Sequence, residues 1–296
     1  MTASYIALDW GSTNLRASLY QQGECTAQRC SEQGITRLGG KTPQQVFSEL
    51  VAPWHSFDLP VIMAGMIGSN AGWVDVPYLA APLSLADLGH HLFAVKEALP
   101  VKAWIVPGIC INRDDNCNVM RGEETQLLGA CGESSSSLYL MPGTHSKWVQ
   151  AENSLIHDFR TAMTGELHHL LMNSSLIGKG LPQQQPAAEV FRQALQIGYQ
   201  QPEITGRLFE VRAAHVLNRL DKTAVSDELS GLLIGSEVAQ MLGYFGRQHH
   251  ITLIGNPQLT ERYGQALDLA GMRWQALDGD RAFQLGMRRI VDAMDH

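Results

Sequence analysis

The sequence has few of the features that mark exported, membrane-spanning or disulfide-stabilised proteins. It holds only five cysteines and no Cys-x-x-Cys pair, which excludes a locally built zinc ribbon or thioredoxin-type redox pair. Free thiols in a reducing compartment are therefore expected. No stretch approaches about 18 consecutive apolar residues, and no basic segment followed by an apolar one opens the chain. These absences predict a cytoplasmic protein that does not cross a membrane.

Charge is scarce as well, and its balance is acidic. The chain has 22 Lys+Arg against 29 Asp+Glu, a net charge of −7, and no basic tract. A nucleic-acid or anionic membrane partner is therefore not expected, although a local positive site is compatible with this composition. Hydrophobic residues make up 45% of the 296 residues, which excludes a disordered chain and is ample for two domains.

Strands alternate with helices in two halves that begin alike, and this alternation predicts an α/β protein. Each half opens with a short apolar strand, a polar turn and a second strand: 5–8, 9–14 and 15–20 in the first half, and 138–141, 142–146 and 147–150 in the second. The polar stretch 132–136 reads as a linker. We therefore expect an N-terminal domain over 1–135 and a C-terminal domain over 136–296.

The remaining pattern predicts further elements in both halves. Strands are expected over 60–64, 104–106 and 251–254, and a polar loop over 112–118. Helices are expected from Thr42-Pro43, over 84–99, over 123–130 and through most of 187–248.

The two opening turns have the composition of phosphate-binding turns. The first combines Gly11 with the short donors Ser12, Thr13 and Asn14, and the second is rich in the same residue types. Small residues leave backbone N–H groups accessible to phosphate oxygens. Asp9, at the end of the first strand, is suited to hold Mg²⁺ directly or through water. The alternative for either turn alone is an ordinary polar hairpin turn, but two such turns, one opening each half, favour the phosphate interpretation.

These motifs resemble those of the actin-like ATPase and sugar kinase superfamily. DWGSTNLR at 9–16 resembles its first phosphate loop, PGTHSKW at 142–148 its second, and LIGNPQLTERY at 253–263 its nucleotide-receiving segment. The finer motifs AGMIGSNAGW, VMRGEETQLLGA, DFRTAMTGELHHLL and LSGLLIGSEV resemble the 2-dehydro-3-deoxygalactonokinase family over essentially the whole chain.

The resemblance implies two ribonuclease H-like domains with a nucleotide cleft between them, and ATP and Mg²⁺ as cofactors. It also implies phosphorylation of the C6 hydroxyl of 2-dehydro-3-deoxy-D-galactonate, a step of galactonate catabolism. The residues that it assigns to the nucleotide are Gly11, Ser12, Thr13, Asn14, Gly143, Thr144, His145, Ser146, Lys147, Gly255 and Asn256. Asp9 would carry the metal and share in catalysis.

A kinase of this kind needs a group that accepts the hydroxyl proton. Glu123 and Glu124 stand at a predicted helix start, where the related exopolyphosphatases have a similar glycine–acid–acid pattern with a catalytic glutamate. The sequence does not choose between the two, and both could instead serve only to complement the helix dipole.

A 2-keto acid is an anion, so its carboxylate needs a cation or backbone donors. The substrate-binding candidates embedded in the motifs are Arg16, Gly65, Arg121, Arg160, Thr164 and Glu166. Lys147 could instead touch the transferred phosphate. Rival functions are an exopolyphosphatase-like phosphohydrolase, a kinase of a related keto-deoxy sugar acid and, from another class, an actin-like filament or sensor. A homo-oligomer formed through the helical section after 187 is also possible.

Overall fold

The computed structural model describes residues 4–247 and 250–294, and the side chains of 55–57 lie outside the description. The strands are β1 Tyr5–Trp10, β2 Leu15–Gln21, β3 Glu24–Ser31, β4 Val61–Ala64, β5 Leu79–Ala80, β6 Leu83–Ser84, β7 Phe93–Ala94, β8 Ala103–Ile105, β9 Ile109–Arg113, β10 Asn116–Met120, β11 Leu138–Met141, β12 Ser146–Glu152, β13 Leu155–Ala162, β14 His250–Gly255 and β15 Arg273–Asp278. The α-helices are α1 Pro43–Val51, α2 Glu123–Glu133, α3 Thr164–Ser174, α4 Ala188–Gln200, α5 Leu208–Val216, α6 Val225–Phe245, α7 Pro257–Leu269 and α8 Gly279–Met294. Short 3₁₀ helices cover Ile35–Arg37, Ala52–Phe57, Met66–Gly68, Leu85–His91, Lys96–Ala98 and Ile204–Arg207.

The chain divides into two compact units. Unit 1 comprises the chain up to Ser135, Ala151–Asp158 and the chain from Gly279 onward, and unit 2 comprises Ser136–Gln150 and Phe159–Asp278. The two-part division expected from the sequence assigns everything after 135 to the second domain, and the structure differs from it in two places. The tip of the β12–β13 hairpin joins unit 1 because Leu155 and Ile156 pair with Ser84 and Leu83 of β6. Helix α8 joins it because its apolar face packs along α2.

Unit 1 is built on a mixed sheet in the order β3-β2-β1-β4-β8-β7. The first three strands are antiparallel, β4 and β8 run parallel to β1, and β7 is antiparallel at the edge. A second sheet has the order β10-β9-β5. The central strands β1, β4 and β8 are apolar, and their residues Leu8, Trp10, Met63 and Ile105 are buried in the core beneath α1.

Unit 2 repeats this strand arrangement. Its strands follow the order β15-β14-β11-β12-β13, with β11 and β12 antiparallel and β14 and β15 parallel to β11. Read in reverse, from β13 to β15, this order corresponds to β3-β2-β1-β4-β8 of unit 1, with β11 in the place of β1. The similar openings of the two halves therefore reflect the same sheet topology. Helices α4, α6 and α7 contribute the core that includes Phe191, Val238 and Tyr263.

Two sequence predictions about local structure are wrong. The stretch 84–99 forms two 3₁₀ turns around the short strand β7 and not one α-helix, because Phe93 and Ala94 pair with β8. The spacing of the buried Leu85 and Leu88 fits a 3₁₀ turn as well as an α-helix. The polar stretch 112–118 is the β9–β10 hairpin, whose side chains are too polar to give a strand signal.

Candidate active site

The first phosphate turn joins β1 to β2 and is held from behind by a separate segment. The carbonyl oxygens of Gly11, Ser12 and Thr13 accept hydrogen bonds from the backbone N–H groups of Ile35, Thr36 and Gly34, at 2.9–3.2 Å. Gly34 lies so close that a Cβ there would stand 2.3 Å from the carbonyl carbon of Thr13. The carbonyls of the turn thus face the segment 34–36, while Ser12, Thr13 and Asn14 are exposed.

Two glycines with positive φ bring Glu123, one of the three predicted catalytic acids, close to Asp9. Gly65, directly after β4, has φ +99°, and a Cβ on it would stand 2.7 Å from the oxygen of Trp10. Gly122, directly before α2, has φ +109°, and a Cβ on it would stand 3.2 Å from the Cα of Gly65. Any side chain at either position would separate the segments. The start of α2, with Glu123, therefore lies beside the end of β1, with Asp9.

The charges around Asp9 favour a cation at this point. Burial raises the pKa of Asp9, the Arg16 guanidinium opposes that rise, and the carboxylates of Asp280 and Glu123 add to it. Arg16 faces Asp9 across the β1–β2 pair and forms an ion pair with Asp280 at 2.5 Å. Asp9 and Arg16 line a cavity of about 540 Å³ together with residues of the first turn. The carboxylates of Asp280 and Glu123 repel that of Asp9, and a bound cation would relieve that repulsion.

The two adjacent glutamates of α2 have different environments. The Glu124 side chain is fully buried (0% exposed), and both of its oxygens accept from the Gly122 N–H, at 2.9 and 2.7 Å. Burial and the neighbouring Glu123 raise the pKa of Glu124 to about 8, against the N–H donors and Arg121. Glu123 is only half-buried, and its Oε2 accepts from the Arg121 N–H at 3.0 Å. Of the two, Glu123 is the more exposed.

The second phosphate turn joins β11 to β12 and is held by the start of α3. The Thr144 oxygen accepts from the Glu166 N–H at 3.0 Å, and a Cβ on Gly165 would stand 2.4 Å from the Gly143 oxygen. Glu166 also pairs with His145 of the turn at 2.5 Å. The turn thus lies against a helix N-terminus, whose partial positive charge favours phosphate.

A cavity of about 260 Å³ opens beside this turn within unit 2. Its wall is formed by the turn, the starts of α3 and α6 and the first part of α7: Gly143, Thr164, Gly165, His168, Ser226, Ser230, Leu233, Ile234, Gln258, Leu259, Arg262 and Tyr263. Arg262 is fixed in the wall by Asp227 at 2.5 Å and by the Ser230 hydroxyl at 2.9 Å. Burial lowers the pKa of His168, which therefore lines the cavity as a neutral ring. The cavity combines apolar walls with a few fixed polar groups, as small-molecule sites do.

Comparison with known proteins identifies the family. The family profile described as 2-keto-3-deoxy-galactonokinase matches residues 9–290. The chain belongs to the 2-keto-3-deoxy-galactonokinase family. The 2-dehydro-3-deoxygalactonokinase of Escherichia coli (strain K12) is 54% identical to it over 294 residues, covering 99% of both chains.

Solved structures confirm the predicted fold class. The crystal structure of a Sinorhizobium meliloti protein provisionally assigned the same activity matches with a TM-score of 0.90 and 31% identity, covering 98% of this chain and 99% of the other. The activator of the 2-hydroxyisocaproyl-CoA dehydratase from Clostridium difficile, solved with bound ADPNP, matches with a TM-score of 0.51 at 13% identity, over 99% and 96% of the chains. This family member therefore has the fold of the actin-like ATPase and sugar kinase superfamily. None of the helices in the described part of the chain is long and apolar enough to span a membrane.

The three arginines predicted to bind substrate occupy three different environments. Arg16 is partly exposed in the cavity of unit 1. Arg121 is 8% exposed, donates to the Val76 oxygen at 2.7 Å and lies over the Tyr78 ring. Arg160 belongs to unit 2 and stacks on Tyr244 at 3.9 Å.

Other predicted residues support the site indirectly. Ser146 is buried and bonds the Tyr263 hydroxyl at 2.9 Å, and the Lys147 ammonium is buried against the His145 oxygen at 3.2 Å. Asn256 is the N-cap of α7, since its Oδ1 accepts from the Leu259 N–H at 2.9 Å. Gly255 lies against Pro142 of the second turn. Thr164 and Glu166 stand with the second turn, in unit 2.

Sequence reasoning missed the residues that complete the two sites. Gly34 stands in a stretch without a phosphate motif, and only the fold brings it behind the first turn. Arg262 and Tyr263 lie inside a segment that resembles the family's nucleotide motif, but the glycine and asparagine at its start gave the clearer signal. Ser226 lies on a helix outside the quoted motifs, whereas Ser230 and His168 lie inside them without being assigned to the nucleotide.

The residues around Asp9 fit a magnesium ion that arrives with phosphate ligands. Within 4–247 and 250–294, no group of three or more His, Cys, Asp or Glu side chains could enclose a metal by itself. Mg²⁺ normally uses one or two carboxylates and completes its shell with water and substrate phosphates. Asp9, in a cavity beside the first turn, meets that requirement.

Proposed function

We propose that this protein transfers the γ-phosphoryl group of ATP to the C6 hydroxyl of 2-dehydro-3-deoxy-D-galactonate, as a step of galactonate catabolism. The observation that carries the proposal is the 54% identity with the Escherichia coli 2-dehydro-3-deoxygalactonokinase across 99% of both chains. The local structure of each turn supports the reaction type, because phosphoryl transfer depends on positioning and charge neutralisation more than on covalent help.

Unit 2 would hold the nucleotide. The cavity of about 260 Å³ would receive the adenosine part, with Arg262 and neutral His168 in its wall. The second turn and the start of α3 would bind the phosphates through N–H groups and through the side chains of Thr144 and His145. Thr164 and Glu166 would then serve the nucleotide and not the sugar acid.

Unit 1 would hold the metal and the acceptor. Asp9 would bind Mg²⁺, which when bound supplies positive charge against the phosphate oxygens. Glu123 would accept the proton of the C6 hydroxyl or orient it, because its carboxylate is accessible and lies beside Asp9. Glu124 is buried on the Gly122 N–H and would fix the start of α2 instead.

Arg16 is the cation that suits the carboxylate of a keto acid in this unit. It lines the same cavity as Asp9, whereas Arg121 is enclosed and Arg160 belongs to unit 2. Gly65 would act through the close approach that places Glu123. A cytoplasmic location and a possible homo-oligomer remain predictions from the sequence.

The rival functions have less support. The family match does not favour an exopolyphosphatase-like hydrolase or an actin-like filament or sensor. A kinase of a related keto-deoxy sugar acid differs from the proposal only in the acceptor.

A coupled ADP-release assay over an acceptor panel tests the proposal. The panel holds 2-dehydro-3-deoxy-D-galactonate, its gluconate epimer, simple hexoses and no acceptor, each with ATP and Mg²⁺. We expect ADP release that depends on the galactonate derivative, and a 6-phosphate product in ³¹P NMR. Equal ADP release without an acceptor would establish the hydrolase, and a preference for the epimer would correct the substrate.

A further inference from the structure

A buried carboxylate in unit 2 joins the elements that form the nucleotide cavity. Glu237 lies in the interior of α6 with 4% of its surface exposed. Its Oε1 accepts from the Trp148 indole N–H at 2.8 Å, and its Oε2 accepts from the Tyr263 hydroxyl at 2.6 Å. The hydroxyls of Thr164 and Ser146 lie near enough to lower its pKa. One carboxylate thus accepts hydrogen bonds from two neutral donors and has two further hydroxyls beside it.

Burying the Glu237 carboxylate costs desolvation free energy, so we ask what its position contributes. Burial raises the pKa of Glu237, and the polar groups of Thr164, Tyr263, Trp148 and Ser146 oppose that rise. An apolar side chain of the same volume would avoid the desolvation of a carboxylate. The indole N–H of Trp148 can only donate, so Oε1 must accept whatever the hydroxyls do.

The groups around Glu237 connect it to three parts of the cavity wall. Ser146 directly follows the second turn, Thr164 is the first residue of α3, and Tyr263 lies on α7. Thr164 and Tyr263 line the cavity themselves, whereas Glu237 and Trp148 lie outside its wall. Ser146 also contacts the Tyr263 hydroxyl at 2.9 Å, which closes the network.

We propose that Glu237 is a positioning residue for nucleotide binding: it fixes the second turn, the start of α3 and Tyr263 in the relative positions that hold the ATP phosphates. It touches neither ATP nor the acceptor. The assignment rests on the proposed function for the identity of the nucleotide.

The variant Glu237→Gln tests this assignment with little change in shape. The amide has one accepting oxygen, so Trp148 and Tyr263 can no longer each donate to a carboxylate oxygen, and the hydroxyls around the cavity must turn. Hydrogen bonds to charged groups are among the stronger ones in proteins. We expect the Kd of ADP, measured by isothermal titration, and the KM of ATP to rise about tenfold, with the KM of the sugar acid unchanged.

Ser236→Ala is the matched control. Ser236 is the preceding residue of α6, equally buried, and its hydroxyl bonds the Pro202 oxygen, away from the second turn. We expect this variant to keep the wild-type Kd of ADP even if its Tm falls. Wild-type ADP affinity in Glu237→Gln, or an equal loss in Ser236→Ala, would overturn the assignment.

Trp148→Phe keeps the test decisive if Glu237→Gln does not fold. Trp148 lies outside the cavity wall and reaches it through Glu237, so its loss should weaken ADP binding at least threefold; unchanged affinity would overturn the proposal. The failure of the proposed function would be distinguishable. If the wild type bound ADP but did not phosphorylate the sugar acid, the proposed function would be refuted, and the ADP Kd of the wild type and of the variants would still test the role of Glu237.

Discussion

The two phosphate turns open the same strand arrangement but are supported differently. A coil segment that contains Gly34 receives the carbonyls of the first turn, whereas the N-terminus of α3 holds the second. The first turn has two carboxylates beside it, Asp9 and Glu123. The second has a cavity, a carboxylate paired with a histidine (Glu166 with His145) and the buried Glu237. In the proposed mechanism, the same backbone hairpin would therefore serve different chemistry according to what packs behind it.

This difference has an electrostatic consequence. A helix N-terminus attracts phosphate by itself, so in the proposed mechanism the second turn would need no cation to bind the nucleotide. The carboxylates at the first turn repel phosphate until a cation neutralises them. We therefore expect substitutions at the first turn to affect mainly turnover and substitutions at the second to affect mainly nucleotide affinity.

The largest effect should come from Glu123→Gln at the first turn. Loss of a positioned base reduces turnover by about 10²–10⁴-fold while substrate affinity changes little. The measurement is kcat and both KM values by coupled ADP release, with circular dichroism to check folding. Glu133→Gln, at the other end of the same helix, is the control. If Glu123→Gln keeps more than about a tenth of wild-type turnover, Glu123 is not the base.

The second-largest effect should come from Asp9→Asn. We expect turnover to fall about 10²–10³-fold even at saturating Mg²⁺, because the negative charge that positions the metal is lost. A Mg²⁺ titration of kcat measures this effect. Glu32→Gln, an exposed carboxylate of the same cavity, should stay within about twofold. Near-normal turnover of Asp9→Asn would remove the distinction between the two turns.

The glycines behind the turns separate the two roles directly. Gly165→Ala places a Cβ 2.4 Å from the Gly143 oxygen, and Gly34→Ala places one 2.3 Å from Thr13. Displacement of a turn should cost about tenfold or more. We expect a higher KM for ATP in Gly165→Ala and a lower kcat in Gly34→Ala. The control is Gly243→Ala, where the Cβ meets open space. The same kinetic defect in both variants would contradict the assigned roles.

The smallest effect on activity should come from Glu124→Gln, which should alter pH-dependent stability instead. The folded-state pKa of Glu124 is about 8, above its unfolded value of 4.5, so the stabilisation is full below pH 4.5 and is lost as pH rises through 8. Wild type should therefore lose stability on the order of a few kcal/mol across this range relative to the variant. Urea unfolding at pH 5 and pH 8.5 measures the difference. A constant difference between the two proteins would contradict the raised pKa.

Much of this architecture was predictable because it depends on local pattern. The capping box of Thr42 and Gln45 begins α1 at the predicted residue, and the paired strands around both turns follow from alternation. The prediction of an α-helix over 84–99 was wrong for two reasons. Apolar residues spaced three apart fit a 3₁₀ helix as well as an α-helix, and residues 93 and 94 pair as a strand with β8.

The sequence by itself determined the family, the α/β class, the two turns and the residue types of the chemistry, because motif composition and periodicity are local properties. Only the tertiary structure decided that Glu123 is accessible while Glu124 is buried, since two adjacent residues of a helix differ by what packs around them. It also decided that Gly34 and Gly165 hold the turns, that Glu237 accepts from Trp148 and Tyr263, and that α8 completes unit 1. Each of these features depends on contacts between residues far apart in the chain. The free energy of such contacts is set by burial and distance, and not by local composition.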